Sequence, residues 1–281
     1  MNLTSPTEIK IILSKYGFRF SKSLGQNFLV DNNTVLKIIE KADIKNTDNV
    51  LEIGPGIGTL TREIAKNSKK VVSIEVDETL KPILKETISE FENAKIIYSD
   101  ILKLDLKTVT KENFGDEKYK VIANLPYYIT TPILEFLLKS KTNIDDITVM
   151  VQKEVAERMT ANPGSKSYGS LSVYIKYFGD AKKVLQVPKT VFIPRPDVDS
   201  AVVKISINEK YQEIESEELE KVLRAGFGKR RKTILNSFSS GLNIEKEEME
   251  KILEKLELQK NLRAENLSIE DFIKVAKEIR G

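Results

Sequence analysis

Apolar residues along this chain follow two rhythms. Short runs rich in valine and isoleucine occur at Val50-Leu51-Glu52-Ile53, Lys70 to Val76, Lys95 to Tyr98, Val121-Ile122-Ala123, Asp146 to Val151, Ala181 to Val187 and Ala201 to Ile207. Their length and β-branched content predict seven buried strands. Between them lie helix signals. Ser5-Pro6-Thr7-Glu8 offers an N-cap serine, a proline at the first helical position and a glutamate placed for a capping box, with Gly17 as the stop. Asp31-Asn32-Asn33 caps a second helix running to about Ala42, Thr131-Pro132 begins one through about Leu138, and Gln152-Lys153-Glu154 begins another. Phe18 to Leu29, carrying Arg19, Lys22 and Leu24-Gly25-Gln26-Asn27-Phe28-Leu29, mixes glycine, amides and apolar side chains as an ordered, packed loop would; Asn162 to Tyr168 reads as a basic surface loop. Beyond Asn208 the strand signal stops and acidic amphipathic helices take over. The pattern therefore predicts an α/β domain over residues 1–208 and a helical domain over 209–281.

Three consecutive strands each end in a residue suited to a ligand, and open α/β sheets bind ligands at the carboxyl ends of their strands. The first ends in Gly54-Pro55-Gly56-Ile57-Gly58, spaced G-x-G-x-G. A dinucleotide diphosphate uses G-x-G-x-x-G, so the tighter spacing favours the amino-acid part of S-adenosylmethionine; a plain βα turn is the alternative. The next strand ends at Glu75, about 20 residues beyond the first glycine, where a carboxylate accepts from both ribose hydroxyls. The third ends at Ser99-Asp100, placed for the adenine amino group of the same cofactor. Their joint occurrence is far more specific than any one of them.

The fourth strand runs into Asn124-Leu125-Pro126-Tyr127-Tyr128. Asn124 brings an amide acceptor, and Pro126 holds Leu125 extended and so aims its carbonyl. Two acceptors can converge there on one amino group, while Tyr127 supplies a flat face for the ring that carries it. An exocyclic amine of adenine or cytosine fits, because its lone pair is delocalised until its hydrogens are gripped. The alternative is a proline turn in which Asn124 caps a helix and the tyrosines simply pack.

Composition narrows the chemistry. The 281 residues are 40% hydrophobic and 31% charged, as in an ordinary globular protein, and no apolar run approaches the roughly 20 residues of a membrane span. With an early Glu8 and no signal-like cleavage site, a cytoplasmic location is the expectation. Cysteine and histidine are both absent. That excludes thiolate nucleophiles, among them those of carbon-5 base methylation, and removes the usual general base and the commonest metal ligand. No metal-ligand spacing occurs. Net charge is only +3, so a nucleic-acid surface must come from local clustering. The sharpest cluster is Lys229-Arg230-Arg231-Lys232, read at a helix amino terminus, where the dipole disfavours cations. Phosphate contact is preferred there over a solvated basic face.

Taken together, these motifs resemble the ribosomal RNA adenine N6-dimethyltransferase family, and within it the small-subunit enzymes. Besides the glycine turn and Asn124 to Tyr127, the resemblance is carried by Leu24 to Leu29, Gln152-Lys153-Glu154-Val155-Ala156, Tyr168-Gly169-Ser170-Leu171-Ser172-Val173, Phe192-Ile193-Pro194-Arg195-Pro196, Val198 to Val202, and Arg230 to Thr233. Tyr128 falls where relatives vary between tyrosine and asparagine, and Asp197 where some carry a basic residue. The resemblance implies a Rossmann-like, seven-stranded, mostly parallel S-adenosylmethionine-dependent methyltransferase sheet with a small helical carboxyl-terminal domain that binds rRNA. It implies that Asn27, Leu29, Gly54, Glu75, Asp100 and Asn124 contact S-adenosylmethionine, and that Asn124, Leu125, Pro126, Tyr127 and Phe192 form the target-adenine site. Its implied substrate is a pair of adjacent adenosines in a hairpin loop near the 3′ end of small-subunit rRNA, within an assembling subunit. A monomeric enzyme is expected, acting without a metal or a membrane. The rival resemblances are the antibiotic-resistance methylases of large-subunit rRNA, a DNA adenine methylase, and an assembly factor with secondary catalysis.

Overall fold

The structure, a computed structural model, describes every residue except Met1, Lys22, Gln212, Arg230 and Gly281; Lys22 of the early loop and Arg230 of the basic run thus lie outside the described residues. The chain opens with α1 (Pro6–Lys15) and a two-residue strand, β1 (Phe28–Leu29). Helix and strand then alternate: α2 (Asn32–Ala42), β2 (Asn49–Ile53), α3 (Thr59–Asn67), β3 (Lys70–Glu75), α4 (Lys81–Thr87), β4 (Ala94–Tyr98), α5 (Leu106–Phe114), β5 (Tyr119–Asn124), α6 (Thr130–Lys139) and β6 (Ile144–Gln152). Next come α7 (Lys153–Met159), α8 (Ser170–Phe178), β7 (Gly179–Val187), β8 (Phe192–Ile193) and β9 (Ser200–Ile207), followed by α9 (Ser216–Phe227), α10 (Ile234–Leu242), α11 (Lys246–Lys255) and α12 (Ile269–Arg280).

All seven predicted strands join one sheet, in the order β4-β3-β2-β5-β6-β9-β7. From β4 to β6 the pairs are parallel, and β9 runs antiparallel to β6. Strand order reverses between β2 and β5, which places the ligand crevice of such a sheet at their carboxyl ends. One face buries Val50, Val71, Ile122, Met150 and Val202 against Val35, Ile38 and Ile39 of α2 and Leu60 and Ile64 of α3. The helices' 3.6-residue period and the strands' two-residue period meet in that layer.

At the amino ends of the strands sits a charged cluster. Lys120 is 7% exposed; its Nζ donates to the Asp43 carbonyl at 2.6 Å and pairs with Asp48 and Asp146. Lys204 donates to the Ala42 carbonyl and pairs with the same Asp146. Two cations thus meet the carboxyl end of α2, where unpaired carbonyls concentrate negative charge. Buried charges persist only when paired in this way.

Caps hold where the sequence puts them, with one difference. Ser5 accepts from the Glu8 N–H, but the Glu8 carboxylate takes the Asn2 N–H at 2.7 Å, so the expected capping box does not close on Ser5. Asp31 caps α2 twice, accepting from the Thr34 N–H at 2.7 Å and its hydroxyl at 2.6 Å. Asp31→Ala is expected to cost about 1 kcal/mol, read as a lower denaturant midpoint with an unchanged slope.

By its internal contacts the chain divides into two units, residues 1–156 with 182–207 and residues 157–181 with 208–281. A single boundary near 208 therefore misses a segment: 157–181, with α8, belongs to the helical unit. There Leu171, Val173 and Ile175 of α8 are buried, the Tyr168 hydroxyl donates to the Leu267 carbonyl at 2.8 Å, and Phe227 stacks on Phe272 with centroids 5.4 Å apart. No helix among the described residues is long and apolar enough to cross a membrane.

Candidate active site

The carboxyl ends of β2, β3, β4 and β5 open on a cavity of about 340 Å³, lined among others by Asn27, Gly54, Glu75, Asp100, Asn124 and Tyr127. Leu125 and Pro126 line it as well. A volume of this size suits a small-molecule ligand. Residues from four strand ends and the early loop thus converge on one space.

Glu75 is the most constrained of them. It is 5% exposed, and its carboxylate accepts the Gly56 N–H at 3.2 Å and the Asp77 N–H at 2.9 Å. Burial pushes its pKa up to about 7 against those two bonds, and the nearby Asp77 charge adds to the rise. Asp77 in turn accepts from Gln26 Nε2 at 2.6 Å, and Gln26 Oε1 accepts the Ser21 N–H. This chain of bonds ties the early loop to the end of β3. Beneath it, Glu52 is fully buried, accepts from Thr61 and Ser73, and is likewise pushed by burial to about 7.

The glycine turn fits a ligand that sits against backbone. Gly56 has φ +58°, and a Cβ there would lie 3.0 Å from the Phe28 ring. Gly54 has φ +72°, and the nearest atom to a Cβ there would be the Asn124 carbonyl at 3.8 Å. Any side chain at these positions would be strained in conformation. At the end of β4, Asp100 Oδ1 caps the following turn by accepting the Leu102 N–H at 3.0 Å, and Oδ2 stands 3.7 Å from Lys103 Nζ.

Asn124 does not cap a helix. Its Nδ2 donates to the Asn27 carbonyl at 3.0 Å, which orients the amide of a residue that lines the cavity. Leu125 is 1% exposed, and its N–H donates to the Met150 carbonyl at 3.1 Å. Pro126 opens a single 3-10 turn, Tyr127–Ile129, and the Tyr127 hydroxyl lies 2.7 Å from Ser200 Oγ. Burial raises the Tyr127 pKa, so the phenol stays protonated.

Two expected residues stand elsewhere. Phe192 and Leu29 pair across β1 and β8, are each 3% exposed, and pack into the core behind the sheet rather than lining the cavity. The ring expected as a second face for the base is therefore buried in this arrangement, within the same core cluster as Val35 and Ile38. Conversely, Val76 and Leu102 line the cavity although 50% and 36% exposed. Their only sequence signal is an apolar residue one or two positions after a strand-end acid. The basic run also differs from expectation: Lys229, Arg231 and Lys232 are exposed between α9 and α10, so they follow one helix's carboxyl end, which favours cations, as well as preceding the next. Among the described residues, no cluster of acidic side chains suited to a metal occurs.

With this geometry in view, comparison with known proteins is decisive. The model of the Ribosomal RNA adenine dimethylase family matches residues 17–280. The chain belongs to this family. It is 47% identical over 280 residues to Ribosomal RNA small subunit methyltransferase A of Alkaliphilus metalliredigens, covering 99% of this chain and 98% of the relative. It is 46% identical to the protein of that name from Clostridioides difficile, over 96% and 94% of the two chains. Among solved structures, a dimethyladenosine transferase from Plasmodium falciparum superposes with a TM-score of 0.79 at 29% identity, over 90% of this chain and 97% of that one. The 23S rRNA methyltransferase ErmE superposes at 0.69 and 25% identity, over 90% and 100%. As a ribosomal RNA adenine dimethylase family member, the protein is an S-adenosylmethionine-dependent rRNA methyltransferase with a Rossmann-like sheet and a helical carboxyl-terminal region.

Proposed function

We propose that this enzyme dimethylates N6 of two adjacent adenosines in a hairpin loop near the 3′ end of small-subunit rRNA, as a step in small-subunit assembly. The observation that carries the reading is Asn124, which lines the cavity together with Tyr127 while its NH2 donates to the Asn27 carbonyl, so that its oxygen is the atom of the amide left to accept from a ligand. An acceptor held there selects a ligand bearing an N–H, and the adjoining ring selects a flat one. The relatives' names point to small-subunit RNA and to adenine.

Bound S-adenosylmethionine would supply the methyl group from its sulfonium. Glu75 would accept from its ribose, Asp100 from its adenine amine through Oδ2, and the glycine turn with Asn27 would hold its amino-acid end. The target adenine leaves its stack, since N6 is otherwise out of reach, and lies against Tyr127. Asn124 Oδ1 and the Leu125 carbonyl grip the two N6 hydrogens and raise lone-pair density on the nitrogen. The methylated nitrogen is acidic enough to lose its proton to water, so a chain without histidine needs no side-chain base. Unpaired loop bases are the RNA that can be splayed out in this way, and Lys229, Arg231 and Lys232 supply phosphate contacts.

Incubation with under-methylated small subunits and labelled S-adenosylmethionine, followed by mass mapping of the RNA, tests this reading. Dimethyladenosine at two neighbouring positions near the 3′ end is expected. Small subunits that gain no dimethyladenosine, when the same enzyme methylates large-subunit RNA offered in a parallel reaction, would overturn it.

A further inference from the structure

We propose that Ser200, through the Tyr127 hydroxyl, is the positioning residue on which the second of the two methyl transfers to one nitrogen depends; this rests on the dimethylation reading above. Tyr127 sits on a three-residue turn, where little but its packing and its hydroxyl fixes the direction of the ring. Ser200 is a rigid anchor for that hydroxyl. It is 0% exposed, opens β9, and lies opposite Gln152 of β6 in the sheet. Its neighbour Asp199 is held twice more, its carbonyl accepting the Lys153 N–H at 3.0 Å and its carboxylate the Lys189 N–H at 2.9 Å. A 2.7 Å bond from this point sets the Tyr127 ring relative to Asn124.

The two transfers make different demands on that ring. Unmodified N6 has two hydrogens, and two acceptors can grip them. After the first transfer one hydrogen has become a methyl group, so only one acceptor keeps its partner. The nitrogen must then be aimed largely by the face on which the base lies. A Tyr127 ring free to swing therefore slows the second transfer more than the first, and the monomethyl nucleoside accumulates.

Single-turnover methylation of under-methylated small subunits, with mono- and dimethyladenosine separated by mass spectrometry, reads this directly. In Ser200→Ala the ratio of first to second rate constants is expected to rise about tenfold, the scale of one lost positioning bond. Tyr127→Phe, which removes the other end of the same bond, should match it, and the double variant should be no worse than either. A merely structural role would lower both rates together or lower only the unfolding midpoint. A wild-type ratio in both variants, equal loss in both steps, or additive effects in the double variant would each overturn the proposal. Wild-type enzyme that places no methyl on adenine would instead sink the dimethylation reading, and this proposal with it.

Discussion

Asn124→Ala is expected to lower turnover by roughly a hundredfold or more, by analogy with removal of a single preorganised transition-state partner. Two effects combine in this variant. The acceptor proposed for an N6 hydrogen disappears, and the Asn27 carbonyl loses its donor at 3.0 Å. The second effect reaches the early loop and hence cofactor binding, so rates must be taken at saturating S-adenosylmethionine with its affinity measured separately. Asn124→Asp separates the two: it keeps an acceptor, but it loses the donor and sets a carboxylate against a carbonyl oxygen. Strand β5 and its buried partners are untouched in both, so the unfolding midpoint should move little. If Asn124→Ala dimethylated small subunits at a near wild-type rate, the proposed gripping of the amine would be wrong.

Glu75→Ala is expected to weaken S-adenosylmethionine binding by about 1–3 kcal/mol, the range for leaving a buried hydrogen-bonding group without its partner. The pH dependence gives a sharper test. Burial holds this carboxyl at about 7 in the free protein. Ribose hydroxyls are donors and favour its ionised form, so binding should release protons near neutrality. The sign follows: affinity falls as the pH drops through about 7 and levels off above it. Because Glu52 titrates in the same range, Glu75→Gln isolates the effect, and its affinity should be nearly flat between pH 6 and 8. Calorimetry that finds wild-type affinity in Glu75→Ala would remove this carboxylate from the ribose site.

Much of the site is legible from strand ends alone, because an α/β sheet turns one-dimensional spacing into proximity. Gly54, Glu75, Asp100 and Asn124 terminate four neighbouring strands, and the cavity lies where they end. What the sequence hides is direction across distance. The amide of Asn124 is oriented by a carbonyl 97 residues earlier, and no local pattern encodes that bond. Phe192 illustrates the converse, since an aromatic beside Pro194 reads equally as a stacking face and as core. Helix α8 escapes notice because Leu171-Ser172-Val173-Tyr174-Ile175 is β-branched and aromatic, as a strand would be. It is helical because α9 and α12 pack on it, a tertiary effect that outweighs propensity.

The same segment bears on how this protein can be cut. Residues 157–181 make the helical unit an insertion as well as an extension, since the chain passes between units at 156, 181 and 207. A fragment ending after Ile207 is therefore not a catalytic domain freed of its appendage. It retains α8, with its buried Leu171, Val173 and Ile175, while discarding α9 and α12, which pack on it, and so is expected to expose apolar surface. An excision that respects the units must instead remove 157–181 together with everything from Asn208 onward, and bridge Ala156 to Lys182 by a short linker.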